Sequence, residues 1–397
     1  MITARVLDLN NEVIKKEFGR IKVDKRGVDI MLPKSRFYLL KLEGTTSVCA
    51  NVIKQQMLSG GGEVAVGRGA IDSSAKKSDC LIMGTFKQYQ SLIYKLKLQP
   101  WGLSEISEKI KDILNKTNQK QCEIKWGSSR LKFGRKTHIM GVLNITPDSF
   151  SDGGKFFRID DAVKQAQKLE QDGADIIDIG GESSRPGAEA VTVNEELKRV
   201  IPVVKRIRKK IKTLISIDTR KSKVAEEAIK EGANIINDIS GLHYDSGMVK
   251  VAGEYDVPVI IMHIKGTPRT MQINPNYEDV ISQIYGYFEK AIERAVKCGI
   301  DYKKIIIDPG IGFGKRLEDN TAILKRFREF RSLGRPLLVG PSRKSFIGAI
   351  LKKSADKRLN GSLASCACAI MNGADIVRVH DVVEVYELVK VIDRIVR

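Results

Sequence analysis

Nine polar side chains stand where short apolar runs end in the second two thirds of the chain: Asn144, Glu182, Asp218, Asn237, His263, Asp308, Ser342, and Arg378 with His380. Their types suggest recognition of a polar ring and of an anion. A carboxylate such as Asp218 or Asp308 can accept two parallel N–H donors, the pattern of a heterocycle with an amino group beside a ring N–H. Asn237 both donates and accepts, so it can address ring nitrogens and their hydrogens. Lys344, Arg378 and His380 are cationic or can become so, and suit an anionic leaving group. Asn144 and Asp308 also have a plainer reading as turn formers at strand ends, and His263 as a satisfied core residue.

These residues converge only if the elements carrying them form one face. From residue 138 onward, eight apolar runs alternate with amphipathic stretches: HIMGVLNI (138–145), DIIDIGG (175–181), LISIDT (214–219), IINDIS (235–240), PVIIMH (258–263), KIIIDPG (304–310), PLLVGPS (336–342) and IVRVHD (376–381). Such Ile/Val-rich runs suit strands buried on both faces of a parallel sheet. Three junctions repeat nearly the same words, DGADIIDIG, EGANIINDIS and NGADIVRVHD, with glycine ending a helix before a strand begins. Eight βα units predict an α/β protein, a (β/α)8 TIM barrel over residues 135–397, whose active site lies at the carboxyl ends of its strands. The phosphate locus of that fold follows strands seven and eight, where Lys344, Arg378 and His380 fall.

Residues 1–134 read as a smaller α/β or α+β N-terminal domain, with strand-like RFYLLKLEG, EVAVGRGAI and DCLIMGT set among helical segments. Gly60–Gly62 follow a helical stretch without the GK[ST] of a phosphate loop, which predicts a helix stop. The boundary is expected in the polar stretch 116–136.

The formal charge is +20, with 26 basic against 13 acidic residues in 1–136. The excess is dispersed, with no basic run interleaved with aromatics, so a solvated surface is expected rather than nucleic-acid binding. Six cysteines with no CxxC pair and four histidines support neither a disulfide framework nor a zinc site. No run reaches the length of a membrane span, and the first residues lack a secretory pattern. A cytoplasmic protein without membrane contact is expected.

The blocks MGVLNITPDSFSDGGKF (140–156), GGESSRPGA (180–188), SIDT (216–219), DPGIGFGK (308–315), GPSRKSFIG (340–348) and RVHD (378–381) resemble, in order, the motifs of the dihydropteroate synthase family. The resemblance covers roughly residues 137–397. It implies a transferase of folate or related pterin cofactor biosynthesis, a sulfonamide target, that condenses 6-hydroxymethyl-7,8-dihydropterin diphosphate with p-aminobenzoate. It places Asp218, Asn237, Met262, Asp308, Phe313 and Lys344 on the pterin. Asn144, Lys344, Arg378 and His380 become the catalytic group around the diphosphate, with Asn144 contacting Mg2+. Phe150, Ser184, Arg185, Pro186 and Ser342 would shape the arylamine pocket, in loops that close over the site. Ser184 stands where the family more often has Thr. The resemblance also implies a homodimer.

Two other readings stay open. A methyltetrahydrofolate–corrinoid protein methyltransferase shares a pterin-reading barrel but leaves the cations at SRKS and RVHD unexplained. A basic nucleic-acid-binding protein built on a barrel rests on charge alone. Which arylamine is used, p-aminobenzoate or a larger ribosylated one, is open, as is the role of the N-terminal domain.

Overall fold

The computed structural model describes residues 2–7, 11–72, 74–119, 122–145, 155–185 and 187–397. The chain divides into two compact units, one ending at Asn115 and the other spanning Lys116–Arg397.

The first unit begins with helices α1 (Asn11–Arg20) and α2 (Lys25–Met31), followed by β1 (Phe37–Thr46), α3 (Ser47–Leu58), β2 (Glu63–Val66), α4 (Arg68–Ile71), β3 (Lys77–Thr85), α5 (Phe86–Lys97) and α6 (Leu103–Asn118), in whose last turn the division falls. The strands form an antiparallel sheet in the order β1-β3-β2. Alternation sends Leu40, Leu42, Cys80 and Ile82 to one face, against Ile53, Met57, Tyr89, Leu92, Leu96, Ile110 and Leu114 of the helices. Gly60–Gly62 are the stop of α3: Gly61 has φ +78°, and a Cβ on Gly62 would lie 2.5 Å from the Met57 methyl.

The second unit opens with an antiparallel hairpin, β4 (Cys122–Trp126) and β5 (Ser129–Phe133). Its Ile124, Trp126, Leu131 and Phe133 belong to the same core as the strands that follow. The hairpin, which the sequence reading set before a 134/135 boundary, thus packs with the barrel. Those strands are β6 (His138–Asn144), β7 (Ile176–Gly180), β8 (Leu214–Asp218), β9 (Ile235–Asp238), β10 (Val259–Met262), β11 (Ile305–Asp308), β12 (Leu338–Val339) and β13 (Ile376–Val379). Between them run α7 (Lys155–Gln171), α8 (Val193–Arg208), α9 (Ser222–Lys230), α10 (Gly247–Glu254), α11 (Val280–Lys297), α12 (Leu317–Lys325), α13 (Ser345–Leu351) and α14 (Leu359–Met371), with α15 (Val382–Val396) last.

All eight strands are parallel, in the order β11-β10-β9-β8-β7-β6-β13-β12, and a parallel bridge between Ile307 and Leu337 closes the ring. The expected (β/α)8 barrel is therefore present, each strand falling within its apolar run. Ile215, Ile217, Ile235, Ile236, Ile260, Ile306 and Ile307 have no exposed surface, and each fully buried side chain of this size stabilises the fold by ~1.5–3 kcal/mol.

The repeated words have one structural cause. Gly173, Gly232 and Gly373 end their helices at φ +99°, +108° and +96°. Two residues on, the side chains of Asp175, Asn234 and Asp375 accept the backbone N–H of Ile139, Ile215 and Leu337 at 3.1, 2.9 and 3.0 Å. Their own amides donate back to the carbonyls of the same three residues at 2.8, 2.7 and 2.8 Å. Each repeat is a staple that fixes the start of the neighbouring strand and hence the register of the ring.

Cys366, in α14, has no exposed surface, and burial pushes its thiol up to about 12. All six cysteines are free thiols.

Candidate active site

Register sets the first row of the site. Asn144 pairs with Gly180, Gly180 with Asp218, and Asp218 with Asn237, so four consecutive strands bring these residues into one line. Gly180 keeps the line open: a Cβ there would sit 3.5 Å from Cβ of Asp218 and 3.8 Å from Oδ1 of Asn144. Met262 and Asp308 are partners across β10 and β11. The carboxyl ends of the strands thus gather the residues that the sequence spreads over more than two hundred positions.

Asp308 is buried, and its Oδ1 accepts the amide of Gly310 at 2.7 Å. The turn-forming reading is correct for that oxygen, which makes the one hydrogen bond of the Asp308 side chain among the described residues. Burial pushes the carboxyl up to about 6, against the pull of the Gly310 amide and of Lys344, Lys315 and Arg378. Gly310 must be glycine, since at φ +69° a Cβ would lie 2.1 Å from the carbonyl oxygen of His263.

Met262 and Phe313 form a small apolar cluster with Met271, flanked by Ile239 and Ile264. Nζ of Lys344 stands 4.1 Å from the centroid of the Phe313 ring, a cation–π arrangement. Burial and the Arg378 charge lower the lysine to about 8, while Asp308 and Asp218 hold it up. A flat apolar wall, a carboxylate and a cation therefore lie together. This is the equipment for a planar heterocycle with donors on one edge and an acceptor on another.

Arg378, which the resemblance puts on the diphosphate, is held by the protein itself: its Nε donates to Oδ2 of Asp178 at 2.6 Å and its Nη2 to Oδ2 of Asp218 at 2.7 Å. Two carboxylates hold its guanidinium firmly protonated, and Nη1 is the nitrogen that remains without a partner among the described residues. Burial and the Asp178 carboxylate push Asp218 up, against the pull of Arg378.

In His380, burial first, then the charges of Arg378 and Arg343, lower the imidazole to about 4, which favours the neutral ring at pH 7. Its Nδ1 lies 3.1 Å from Oγ of Ser342, which also accepts the His380 amide at 3.3 Å.

His263 is a satisfied interior residue. Nζ of Lys315 donates to its Nδ1 at 3.0 Å, and the ring packs edge-on against Tyr287. Lys315 also donates to the carbonyls of His263 at 3.3 Å and Phe313 at 3.0 Å, tying the loops after β10 and β11 together. Sequence reading missed this lysine, although it closes the DPGIGFGK block.

The loop after β7 is pinned at its base. Glu182 accepts Nη2 of Arg220 at 2.8 Å, Nζ of Lys221 at 2.6 Å and the amide of Val191 at 3.2 Å. Within that loop Ser184 is half-buried and Arg185 exposed, and the amide of Gly187 donates to the carbonyl of Pro268 at 3.2 Å. Phe150 and Pro186 lie outside the described residues. The side chain of Asn144 is half-buried and makes no hydrogen bond among the described residues, which also hold no group of three or more acidic, histidine or cysteine side chains arranged for a metal.

The geometry defines a barrel that gathers carboxylates, an apolar wall and cations at the carboxyl ends of its strands. The family model described as pterin binding enzyme matches residues 140–380. A dihydropteroate synthase of Synechocystis is 47% identical over 272 residues, which cover 68% of this chain and 94% of that protein. Among solved structures, the Yersinia pestis dihydropteroate synthase in a sulfonamide complex matches with a TM-score of 0.66 at 41% identity, over 69% of this chain and 99% of that one. The Xanthomonas albilineans enzyme in complex with 7,8-dihydropteroate matches with a TM-score of 0.60 at 36% identity, over 66% and 94%. The chain belongs to the pterin-binding enzyme family. Within that family its activity class is the transferase one of the dihydropteroate synthases.

Proposed function

We propose that the barrel condenses 6-hydroxymethyl-7,8-dihydropterin diphosphate with p-aminobenzoate, giving 7,8-dihydropteroate and diphosphate in folate biosynthesis. The observation that carries this reading is the pairing of Asp308, whose Oδ2 makes no hydrogen bond among the described residues, and the Lys344 ammonium 4.1 Å from the Phe313 ring. The carboxylate accepts the amino-pyrimidine edge, Lys344 faces the opposite polar edge, and Met262 and Phe313 take the flat faces.

The arylamine is a weak nucleophile because its lone pair is drawn into its own ring. The C–O bond at the hydroxymethyl carbon therefore breaks ahead of attack, and the electron-rich pterin delocalises the resulting cation. The Asp218 and Asp308 carboxylates stabilise that cation. The remaining donor of Arg378, with Ser342 and neutral His380 beside it, receives the departing oxygens. The amine then forms the C–N bond and loses its proton. Ser184 and Arg185, in the loop after β7, are the described residues we place beside the arylamine, where they help to exclude water from the cation.

Magnesium fits the donor set as a cation held mainly by substrate: among the described residues the carboxamide of Asn144 makes no hydrogen bond and no cluster of three or more acidic, histidine or cysteine side chains is arranged for a metal. Bound there, Mg2+ would supply charge neutralisation to the diphosphate. We further propose a cytoplasmic homodimer associating through the barrel. No described helix is long and apolar enough to cross a membrane.

The test is direct. Purified full-length protein is given the pterin diphosphate, Mg2+ and either p-aminobenzoate or a ribosylated arylamine, and products are resolved by chromatography. Formation of 7,8-dihydropteroate with p-aminobenzoate is expected, and turnover only with the larger amine would reassign the substrate. Absence of product with both would remove the proposal. Analytical ultracentrifugation at assay concentration tests the dimer.

A further inference from the structure

Asp178 lies in the middle of β7, two residues before the motif that begins at Gly180, and it has no exposed surface. Its Oδ2 accepts Nε of Arg378 at 2.6 Å and Nδ2 of Asn237 at 3.1 Å, while its Oδ1 has no partner among the described residues. We infer that Asp178 is a positioning residue that couples ring recognition at Asn237 to leaving-group stabilisation at Arg378. The inference rests on the function proposed above.

Packing does not account for this carboxylate. Its neighbours in register, Val142 and Ser216, are small and uncharged, and the surrounding strands are filled with isoleucine. A buried carboxylate with one oxygen unpaired is a liability in such a core, so its benefit must lie in what it orients. Being purely an acceptor, it requires Asn237 to turn the amide nitrogen toward it and the carbonyl oxygen away. The guanidinium is fixed in the same way. With Nε on Asp178 and Nη2 on Asp218, rotation about the last side-chain bonds is blocked, and Nη1 is the donor left for an anionic oxygen. One carboxylate thus orients a reader of the heterocycle and a donor to the leaving group. Neither orientation is available to an alanine or to an aliphatic residue at 178.

The two functions separate under substitution. Asp178→Asn keeps an acceptor oxygen for Nδ2 of Asn237 and Nε of Arg378 but removes the charge of one of the two carboxylates that hold the guanidinium. Asp178→Ala removes both. With the full-length protein, calorimetry gives the Kd of 6-hydroxymethyl-dihydropterin, which lacks the diphosphate, and steady-state kinetics give kcat and the KM values. The Asn variant is expected to hold the pterin within about threefold of the parent while kcat falls by about tenfold or more, and the Ala variant to lose about tenfold in pterin affinity and at least about a hundredfold in kcat. A residue that served only the fold would lower activity in proportion to the folded fraction, read by circular dichroism, without separating kcat from pterin affinity. That outcome, or an Asn variant with kcat within about threefold of the parent, overturns the inference. Should the Ala variant fail to fold, the split in the Asn variant decides alone. Should the parent make no pteroate, the proposed function fails, and the pterin Kd of parent, Asn and Ala variants decides: an Ala loss that the Asn variant spares supports the inference, and equal values overturn it.

Discussion

Asp308→Asn should move ligand affinity and protein stability in opposite directions. The Asp308 carboxyl sits at about 6 in the folded protein, above its ordinary value of 3.8, because burial outweighs the nearby positive charges. A carboxylate raised in this way destabilises the fold when ionised. The cost is absent below pH ~4, grows between pH ~4 and ~6, and is complete at pH 7, where a displacement of about two units corresponds to ~3 kcal/mol. An amide retains an oxygen for the Gly310 N–H, which lies 2.7 Å from Oδ1, and carries no charge. At pH 7.5 the variant should therefore be more stable than the parent by on the order of 2–3 kcal/mol, a gap that closes as the pH falls toward 4. The affinity for the pterin should fall, since the amide turns a donor toward the ring's own donors and leaves buried polar groups unpaired. That loss is ~2–4 kcal/mol, or about 30- to 800-fold in Kd. Urea unfolding of the barrel at pH 7.5 and 5, together with calorimetric titration of the pterin, measures both. A variant that loses stability at pH 7.5, or that binds the pterin as the parent does, refutes the assignment of Asp308 as the ring-binding carboxylate.

The same charges shape the pH profile. Pterin binding needs Asp308 ionised and Lys344 protonated, so kcat/KM should fall on the acid side near pH 6 and on the alkaline side near pH 8; Lys344→Arg should move the alkaline limb upward, and an unmoved limb would assign it elsewhere. Asn234→Ala removes the staple that accepts the Ile215 amide at 2.9 Å and should cost ~1–3 kcal/mol in urea unfolding, with kcat nearly unchanged well below the transition. Cleavage ahead of attack predicts that pterin diphosphate bound without amine scrambles oxygen isotope between bridging and non-bridging positions, more slowly in Asn144→Ala, whereas no scrambling with freely rotating diphosphate favours concerted displacement. Chelation should abolish turnover and added Mg2+ restore it, while activity in chelator would exclude the metal from the proposed role.

What the sequence made legible follows from where each interaction lives. The eight strands could be read because each is a continuous apolar run, and the barrel because polar residues recur at the same end of every run. The staples were visible as repeated words, but their chemistry was not: that Asp175, Asn234 and Asp375 each close on an adjacent strand depends on neighbours 36, 19 and 38 residues away. Asp178 escaped because a search for strand ends passes over a residue in mid-strand, and only the closed ring brings Arg378 of the last strand against the second. The proton affinity of His380 was hidden for a related reason. Its type and place suggested a cation, yet its proton affinity is set by burial and by Arg378 and Arg343, and that crowding exists only once the chain is folded. Residue types thus announced the chemistry, and non-local pairing decided the roles. Arg378 is the clearest instance: the same guanidinium that the motif assigns to an anion is already held by the carboxylates of Asp178 and Asp218, so under the proposed function Nη1 is the donor left for the departing oxygens, and substitutions at Asp178 or Asp218 are expected to weaken leaving-group stabilisation as substitution of the arginine would.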